Sequence, residues 1–375
     1  MSVYLKEVRT LKELKEFVRF PFHLYRSSPY WVPPLIKNEM ETLSPDKNPA
    51  FEYCDAVYWL AYKDGQPAGR IAAILNRKFN KKWDRNDVSF SRFEFIDDEN
   101  VSLALMKKAE KWAGDRKADA VHGPLGFTNF DQQGMLIKGF DEMSTLASVY
   151  NFSYYPVHMD KMNFSKEIDY VEYEVKTPDK VPEKAVRLSD IVLKRLNLKV
   201  MKPQSKKELL PYSEQIFNVI NKAYKDIFYS VTLSDEQVRM YKEKYLSFID
   251  PEFVCLVMDS QNKMIGFSIA MPSLSQAFRK AGGRLFPFGF WHILKALKNP
   301  RQLDLYLVGI DPAYQNKGVN AVFMEELTRA AIKNRIQKTE TNSELETNKK
   351  VQAFWKYYDA RMHKRKRVFR KKLNS

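Results

Sequence analysis

The 375-residue chain has only two cysteines, Cys54 and Cys255, and five histidines. Both thiols sit in apolar, strand-like runs. That excludes a disulfide-built scaffold and reads as two buried thiols of a cytoplasmic protein. The histidines are scattered without ligand spacing, so no metal site is expected. No apolar run reaches the roughly 18 residues that a membrane-spanning helix needs. The first residues, Met1 to Val8, lack the charged-then-apolar layout of a secretory signal. Low-complexity stretches are absent.

What is present can fill real cores: 44% of residues are hydrophobic and 14% aromatic. The length suits two ordinary domains or one large one. The formal net charge of +16 points to a negatively charged partner, whether nucleic acid, anionic lipid or a phosphorylated cofactor. Solubility alone is the plainer reading of the same charge.

A weak internal repeat runs through the chain. Residues 56–62 and 68–74 read as two strands around a turn at 63–66, and residues 253–258 and 264–271 repeat the pattern around 259–263. Each hairpin is followed by a further strand and an amphipathic helix: 88–96 then 101–114, and 303–310 then 319–335. In the latter helix Phe323, Leu327, Ala330 and Ala331 share one face. Two copies of one α/β unit therefore fit better than one large fold. The Pro- and charge-rich segment 177–184 marks the boundary, giving expected domains of 1–176 and 185–375.

Residues 303–320 carry the sharpest signal: an apolar strand, a Pro turn, and a loop with Gln315, Lys317 and Gly318 that runs into a helix. Glycine lets the backbone approach an anion, and free N–H groups at a helix start point at it. The run Gln315-x-x-Gly318-x-Asn320 resembles the acyl-CoA pyrophosphate loop of the GNAT N-acyltransferase superfamily, Gln/Arg-x-x-Gly-x-Gly/Ala. Asn320 departs from the small residue of that pattern. The order of elements around the loop also resembles that superfamily.

The resemblance implies a mixed α/β (α+β) sheet with two GNAT-like units in tandem. It implies that Gln315, Asn316, Lys317, Gly318, Val319 and Asn320 hold the pyrophosphate of acetyl-CoA or a longer acyl-CoA. Val308, Gly309 and Ile310 would meet the pantetheine arm, with Asn348 beside it. Counting to the position of a frequent general acid lands on Trp355, which cannot donate a proton usefully, so Tyr357 and Tyr358 stand as substitutes. Asp304 and Tyr306 lie on the strand that would border the acceptor. Structural roles remain open for all four.

In the first half the matching loop, 96–102, has no glycine and three carboxylates, which repel a pyrophosphate. One acyl-CoA per chain, in the second half, is the expectation. The first half instead carries a block at 122–141 that mixes glycines with His122, Asn129, Asp131 and Gln132, followed by Tyr154 and Tyr155. These resemble a group of poorly characterised bacterial GNAT-like proteins of similar length, as does the segment 29–34. They suit a substrate-binding loop between the halves or simple turn chemistry.

Two further stretches stay open. The apolar insertion 272–301 suits an interface plug, a sheath for an acyl chain, or peripheral contact with an anionic membrane. The basic tail 364–372 reads as a closing strand or a lipid contact. Nucleic acid is disfavoured because no reading fold accompanies the charge. The expected activity is N-acylation of a small-molecule or lipid amine. The alternative is a non-catalytic ligand- or lipid-binding protein that keeps the fold.

Overall fold

The computed structural model describes residues 2–245 and 248–373. In chain order, β1 (Val3–Glu7), α1 (Leu11–Leu24) and α2 (Ile36–Thr42) precede β2 (Cys54–Lys63), β3 (Gln66–Asn76), α3 (Arg77–Trp83), β4 (Asp87–Phe95) and α4 (Glu99–Gly114). Then come β5 (Ala120–Gly123), β6 (Met135–Lys138), α5 (Tyr154–Lys161), β7 (Ser165–Lys176), α6 (Glu183–Leu196), β8 (Lys199–Met201), α7 (Lys206–Leu209), α8 (Ser213–Ala223) and α9 (Asp235–Tyr245). The rest are β9 (Val254–Met258), β10 (Met264–Pro272), α10 (Ser275–Ala281), α11 (Gly289–Lys298), β11 (Gln302–Ile310), α12 (Asn320–Lys333), β12 (Lys338–Glu340), β13 (Glu344–Leu345), α13 (Lys349–Gln352) and β14 (Ala360–Lys372).

The chain forms two compact units that exchange segments. The first takes the chain up to Val171, adds Leu274–Leu294, and ends with the chain from His363 on. The second takes Glu172–Ser273 and Lys295–Met362. The division therefore does not follow the expected boundary at 177–184. A strand carries the chain across: β7 begins in the first unit and ends in the second. Pro and charge at 177–184 mark only the loop before α6.

In the first unit, β1 to β4 form antiparallel pairs and β4 pairs β5 in parallel. The β2–β3 hairpin turns at Asp64 and Gly65, both with positive φ (52° and 75°), as a two-residue hairpin turn requires. β5 needs a neighbour on its far side, and the end of β14 supplies it by pairing Phe369–Lys372 with Ala120–Gly123. α4 buries Val101, Leu105, Met106, Ala109 and Ala113, a helical stripe. They meet Trp59, Phe90, Phe93, Phe95 and Tyr155 in an aromatic-rich core.

The basic tail is this closing strand, and it starts earlier than its charge suggests, at Ala360. Its cations are matched inside the unit. Arg367 holds both oxygens of Asp169 at 2.8 and 3.1 Å, and Arg370 grips Asp87 at 3.0 and 3.1 Å. Lys371 pairs Glu110 at 2.7 Å. Lys364, fully buried, donates to the Met143 carbonyl at 2.9 Å.

In the second unit the strand order is β7-β12-β11-β10-β9-β8. β9 and β10 are buried along their whole length. Ile310 packs with Val192 of α6 and Val319 and Val322 at the start of α12. Its neighbour Gly309 faces Val219 of α8. Successive strand residues point to opposite faces, so α6 and α12 cover one face and α8 the other. The C-terminal helical region is short: α13 gives way after Gln352 to a 3-10 turn at Ala353–Tyr357.

Burial opposes a charge on Asp169, but the Arg367 guanidinium holds its carboxyl below the ordinary value of 3.8. Its contribution to stability is present above that value and lost as pH falls through the depressed folded value. Arg367→Met is expected to cost about 1–3 kcal/mol at neutral pH. In thermal melts against pH, the deficit should shrink as the solution is acidified below that range.

Candidate functional site

The second unit carries an open wedge. β11 pairs β12 only through Gln302–Asp304 against Lys338–Glu340, whereas its ladder with β10 continues to Ile310. Partners jump from Ala270↔Leu305 to Ile269↔Leu307, so Tyr306 is the extra residue of a β-bulge. From Leu305 to Ile310 the strand thus keeps a ladder on one edge only. Side chains meet some of its carbonyls: Asn342 Nδ2 donates to Tyr306 O at 3.2 Å, and the Tyr224 hydroxyl to Val308 O at 2.9 Å.

The loop after the wedge is held open for close approach. Asp311 caps a short turn by accepting from Ala313 N at 3.0 Å. Gln315 folds back, its Nε2 donating to Ile310 O at 3.1 Å. Asn316 and Gly318 adopt positive φ, 62° and 92°. A Cβ on Gly318 would lie 2.9 Å from Val192 Cγ2, so the packing of α6 requires glycine. Arg195 of α6 donates to the Lys317 carbonyl at 2.8 Å. Val319, the N-cap of α12, offers no side-chain cap, and the first turn has no acid. Asn320 opens the helix half-buried, while Gln315, Asn316 and Lys317 are exposed. Uncapped N–H groups, a left-handed glycine and an adjacent lysine form a cradle for an anion.

The matching place in the first unit is filled from within. β4 also leaves its parallel partner after three residues, Asp87–Ser89. Here Asp98 caps α4, accepting from Asn100 N at 2.8 Å and Val101 N at 3.4 Å. Its ion pair with Lys63 holds the carboxyl below its ordinary range. At the strand end, Phe95 N donates to the Tyr155 hydroxyl at 3.1 Å, and the Tyr154 hydroxyl donates to Phe95 O. An internal carboxylate and two tyrosines stand where the second unit is open.

Of the residues singled out in the 122–141 block, His122, Asp131 and Gln132 are engaged inside the first unit. His122 stacks on Phe79 and bridges Ser89 Oγ and Glu167 Oε2, both at 3.0 Å. Asp87, His122 and Glu167 bring potential ligand atoms within 4.8 Å of one another. Arg85 and Arg370 already stand against those carboxylates, where a cation would need to be. Asp131 accepts from Phe127 N and Thr128 N, tying its own loop. Gln132 donates to Leu146 O and Ser148 O. Asn129 Oδ1 is buried without a hydrogen-bond partner.

Among the residues near the wedge, Asp304 is buried in the β11–β12 ladder and Tyr306 half-buried. Tyr357 is exposed beneath the Lys184 ammonium, 4.3 Å from its ring centre. Tyr358 meets Thr328 of α12 at 3.3 Å, and burial raises its hydroxyl pKa. Asn348 turns its side-chain oxygen onto Val351 N and opens α13.

The structure adds a group that sequence reasoning missed. Trp355 is buried, and its indole Nε1 donates to Glu344 at 3.0 and 3.3 Å. Burial pushes the Glu344 carboxyl up to about 8, aided by the charge of Glu172 against the hydrogen bonds from Trp355 and Thr341. Glu344 follows β12 just past the point where β12 leaves β11, two residues after Asn342. Its polar surroundings in sequence, 339–348, gave no sign of burial. The one available signal was a tryptophan with a donor to satisfy.

Glu344 ionises late, so its stability contribution is greatest below 4.5 and declines as pH rises to about 8. The indole Nε1–H resonance of Trp355 should therefore shift with an apparent pKa near 8, and Glu344→Gln should abolish that titration. The thermal stability of the variant should gain on the parent between those two pH values.

No family model matches the chain. It is 26% identical over 383 aligned positions to Protein YghO of Escherichia coli K12, covering 100% of this chain and 97% of that protein. It is 24% identical over 317 positions to the bacterial ceramide synthase of Caulobacter vibrioides, covering 82% and 80%. Among solved structures, a tandem GNAT protein from the clavulanic acid biosynthesis pathway superposes with a TM-score of 0.55 at 8% identity, over 100% of this chain and 99% of that one. A GCN5-related N-acetyltransferase from Sphaerobacter thermophilus gives a TM-score of 0.51 at 11% identity, over 100% and 96%. The chain has the tandem GNAT fold.

Proposed function

We propose that this protein is an acyl-CoA-dependent N-acyltransferase with one donor site, in its second unit. One observation carries the reading: α12 starts uncapped behind a left-handed glycine, whereas Asp98 fills the matching helix start of the first unit. An acyl-CoA brings an activated thioester carbonyl and a pyrophosphate. The N–H groups of Gly318, Val319 and Asn320 and the Lys317 ammonium would bind the pyrophosphate. The stretch Val308, Gly309 and Ile310, beyond the β11–β12 ladder, would align the pantetheine arm in the manner of strand addition, displacing the side chains of Tyr224 and Gln315 that meet its carbonyls.

The acceptor amine arrives protonated at neutral pH. Glu344, near pKa 8, has the basicity to take a proton from it, directly or through one water. The amine nitrogen then bonds to the carbonyl carbon, the C–S bond breaks, and the second proton that the nitrogen sheds in becoming an amide returns, directly or through water, to the tyrosine that protonates the thiolate. Tyr358, kept protonated by burial, would supply the proton to the departing thiolate. Asp304, Tyr306 and Tyr357 would shape the acceptor side. Most of the acceleration comes from holding amine and thioester in line. The default acyl group is acetyl. The likeness to a bacterial ceramide synthase favours a long-chain amine as acceptor and a longer acyl donor as the variant.

Calorimetric titration with acetyl-CoA and palmitoyl-CoA should saturate near one site per chain. Lys317→Glu, which leaves the loop backbone intact, should weaken binding roughly tenfold or more. Glu344→Gln should bind the donor as the parent does and lose roughly 10²- to 10⁴-fold in kcat. In the parent, kcat should rise with pH to a plateau above about 8. Binding that survives Lys317→Glu and Gly318→Val unchanged would remove the loop from the donor site.

A further inference from the structure

We propose that the segment 284–298 docks the protein onto an anionic lipid surface. The observation is an exposed aromatic shelf on a fixed base. Phe286 is 76% exposed, Phe288 71%, Trp291 61% and Leu294 52%. Phe286 and Phe288 lie in the turn before α11, and Trp291 and Leu294 lie three residues apart on the helix. Phe290 links the rings, 5.8 Å from Phe286 and 5.0 Å from Trp291. The opposite side is anchored: Gly289 and Ile293 are buried.

Close packing fixes the base. A Cβ on Gly283 would lie 2.4 Å from the Phe22 ring, and Gly283 O accepts from Ile36 N at 3.0 Å. A Cβ on Gly289 would lie 2.0 Å from Arg284 O. The large apolar side chains are therefore held outward by an ordered scaffold rather than left on a loose loop. Keeping four such groups in water costs free energy that burial elsewhere would recover.

Charge decides what covers the shelf. Between Pro272 and Arg301 stand Arg279, Lys280, Arg284, Lys295, Lys298 and Arg301, with no Asp or Glu. Arg279, Lys280, Arg284, Lys295 and Lys298 are exposed. A second copy would bring this same positive charge against itself, on a chain of net charge +16. An anionic membrane supplies the opposite charge, at about 1 kcal/mol per Lys or Arg near its surface. It also takes Trp and Phe at the headgroup level. α11 is ten residues long, so it lies on the surface rather than crossing. The docking is a property of this segment and does not depend on catalysis.

The test is vesicle flotation of the full chain, with phosphatidylcholine alone and with phosphatidylcholine mixed with phosphatidylglycerol. Wild-type protein should float with the anionic vesicles and stay below with the neutral ones, and salt should release it. The combined variant Phe286→Ser, Phe288→Ser, Trp291→Ser should weaken partition roughly tenfold or more, and so should Lys295→Glu with Lys298→Glu. Circular dichroism and acyl-CoA titration check that each variant keeps its fold. Wild-type protein that stays in solution with both vesicles would overturn the proposal. So would a serine variant that floats as well as the parent. A wild-type dimer that the serine variant dissolves would assign the shelf to a second copy instead.

Discussion

An α-helix leaves its first N–H groups without internal partners, and this chain meets that demand in two ways. In the first unit Asp98 turns back onto the start of α4, and Lys63 neutralises it. In the second unit nothing in the sequence caps α12, and Gly318 bends the chain so that the helix start lies bare beside Lys317. Both places follow a strand that leaves its parallel neighbour after three residues. The same scaffold therefore makes one closed and one open anion cradle. The difference rests on a carboxylate in one and a left-handed glycine in the other. Tyr154 and Tyr155 complete the closure, because they occupy both backbone groups of Phe95; in the second unit Tyr224 and Gln315 meet the carbonyls of Val308 and Ile310.

The exchange of segments between the units follows from the same topology. A strand that pairs in parallel on one edge still exposes its other edge. β5 is covered by β14 and β12 by the end of β7. The tail that covers β5 is strongly basic, which is costly to bury unless paired. Asp87, Asp169 and Glu110 supply the partners. Much of the positive charge at the C-terminus is thus consumed in closing a sheet. The charge of 272–301 is not, because no acid lies within that segment and its cations face water.

The repeat was legible because hairpin turns and strand alternation are local. Asp64 and Gly65 announce a turn, and the helix stripe of Phe323, Ala330 and Ala331 announces a buried face. The loop at 315–320 was legible for the same reason: its glycine and its position before a helix lie within a few residues. The domain division was not. Pro and charge at 177–184 suggest a linker, but strand exchange is decided by which edge lacks a partner, and no local residue records that. Glu344 was hidden likewise. Trp355, eleven residues away, donates to it, and its basicity comes chiefly from burial, with Glu172, far earlier in the chain, adding to it. Trp355 looked like the loss of a proton donor; in the structure it is the group that holds Glu344.

The central claim is that the open helix start and the one-edged strand of the second unit form the donor site. Hydrogen–deuterium exchange with and without coenzyme A tests it most directly, because it reads those amides themselves. Slower exchange is expected at 307–310 and 316–322, with 95–102 of the first unit unchanged. Protection at 95–102, or none at 316–322 under saturating ligand, would contradict it.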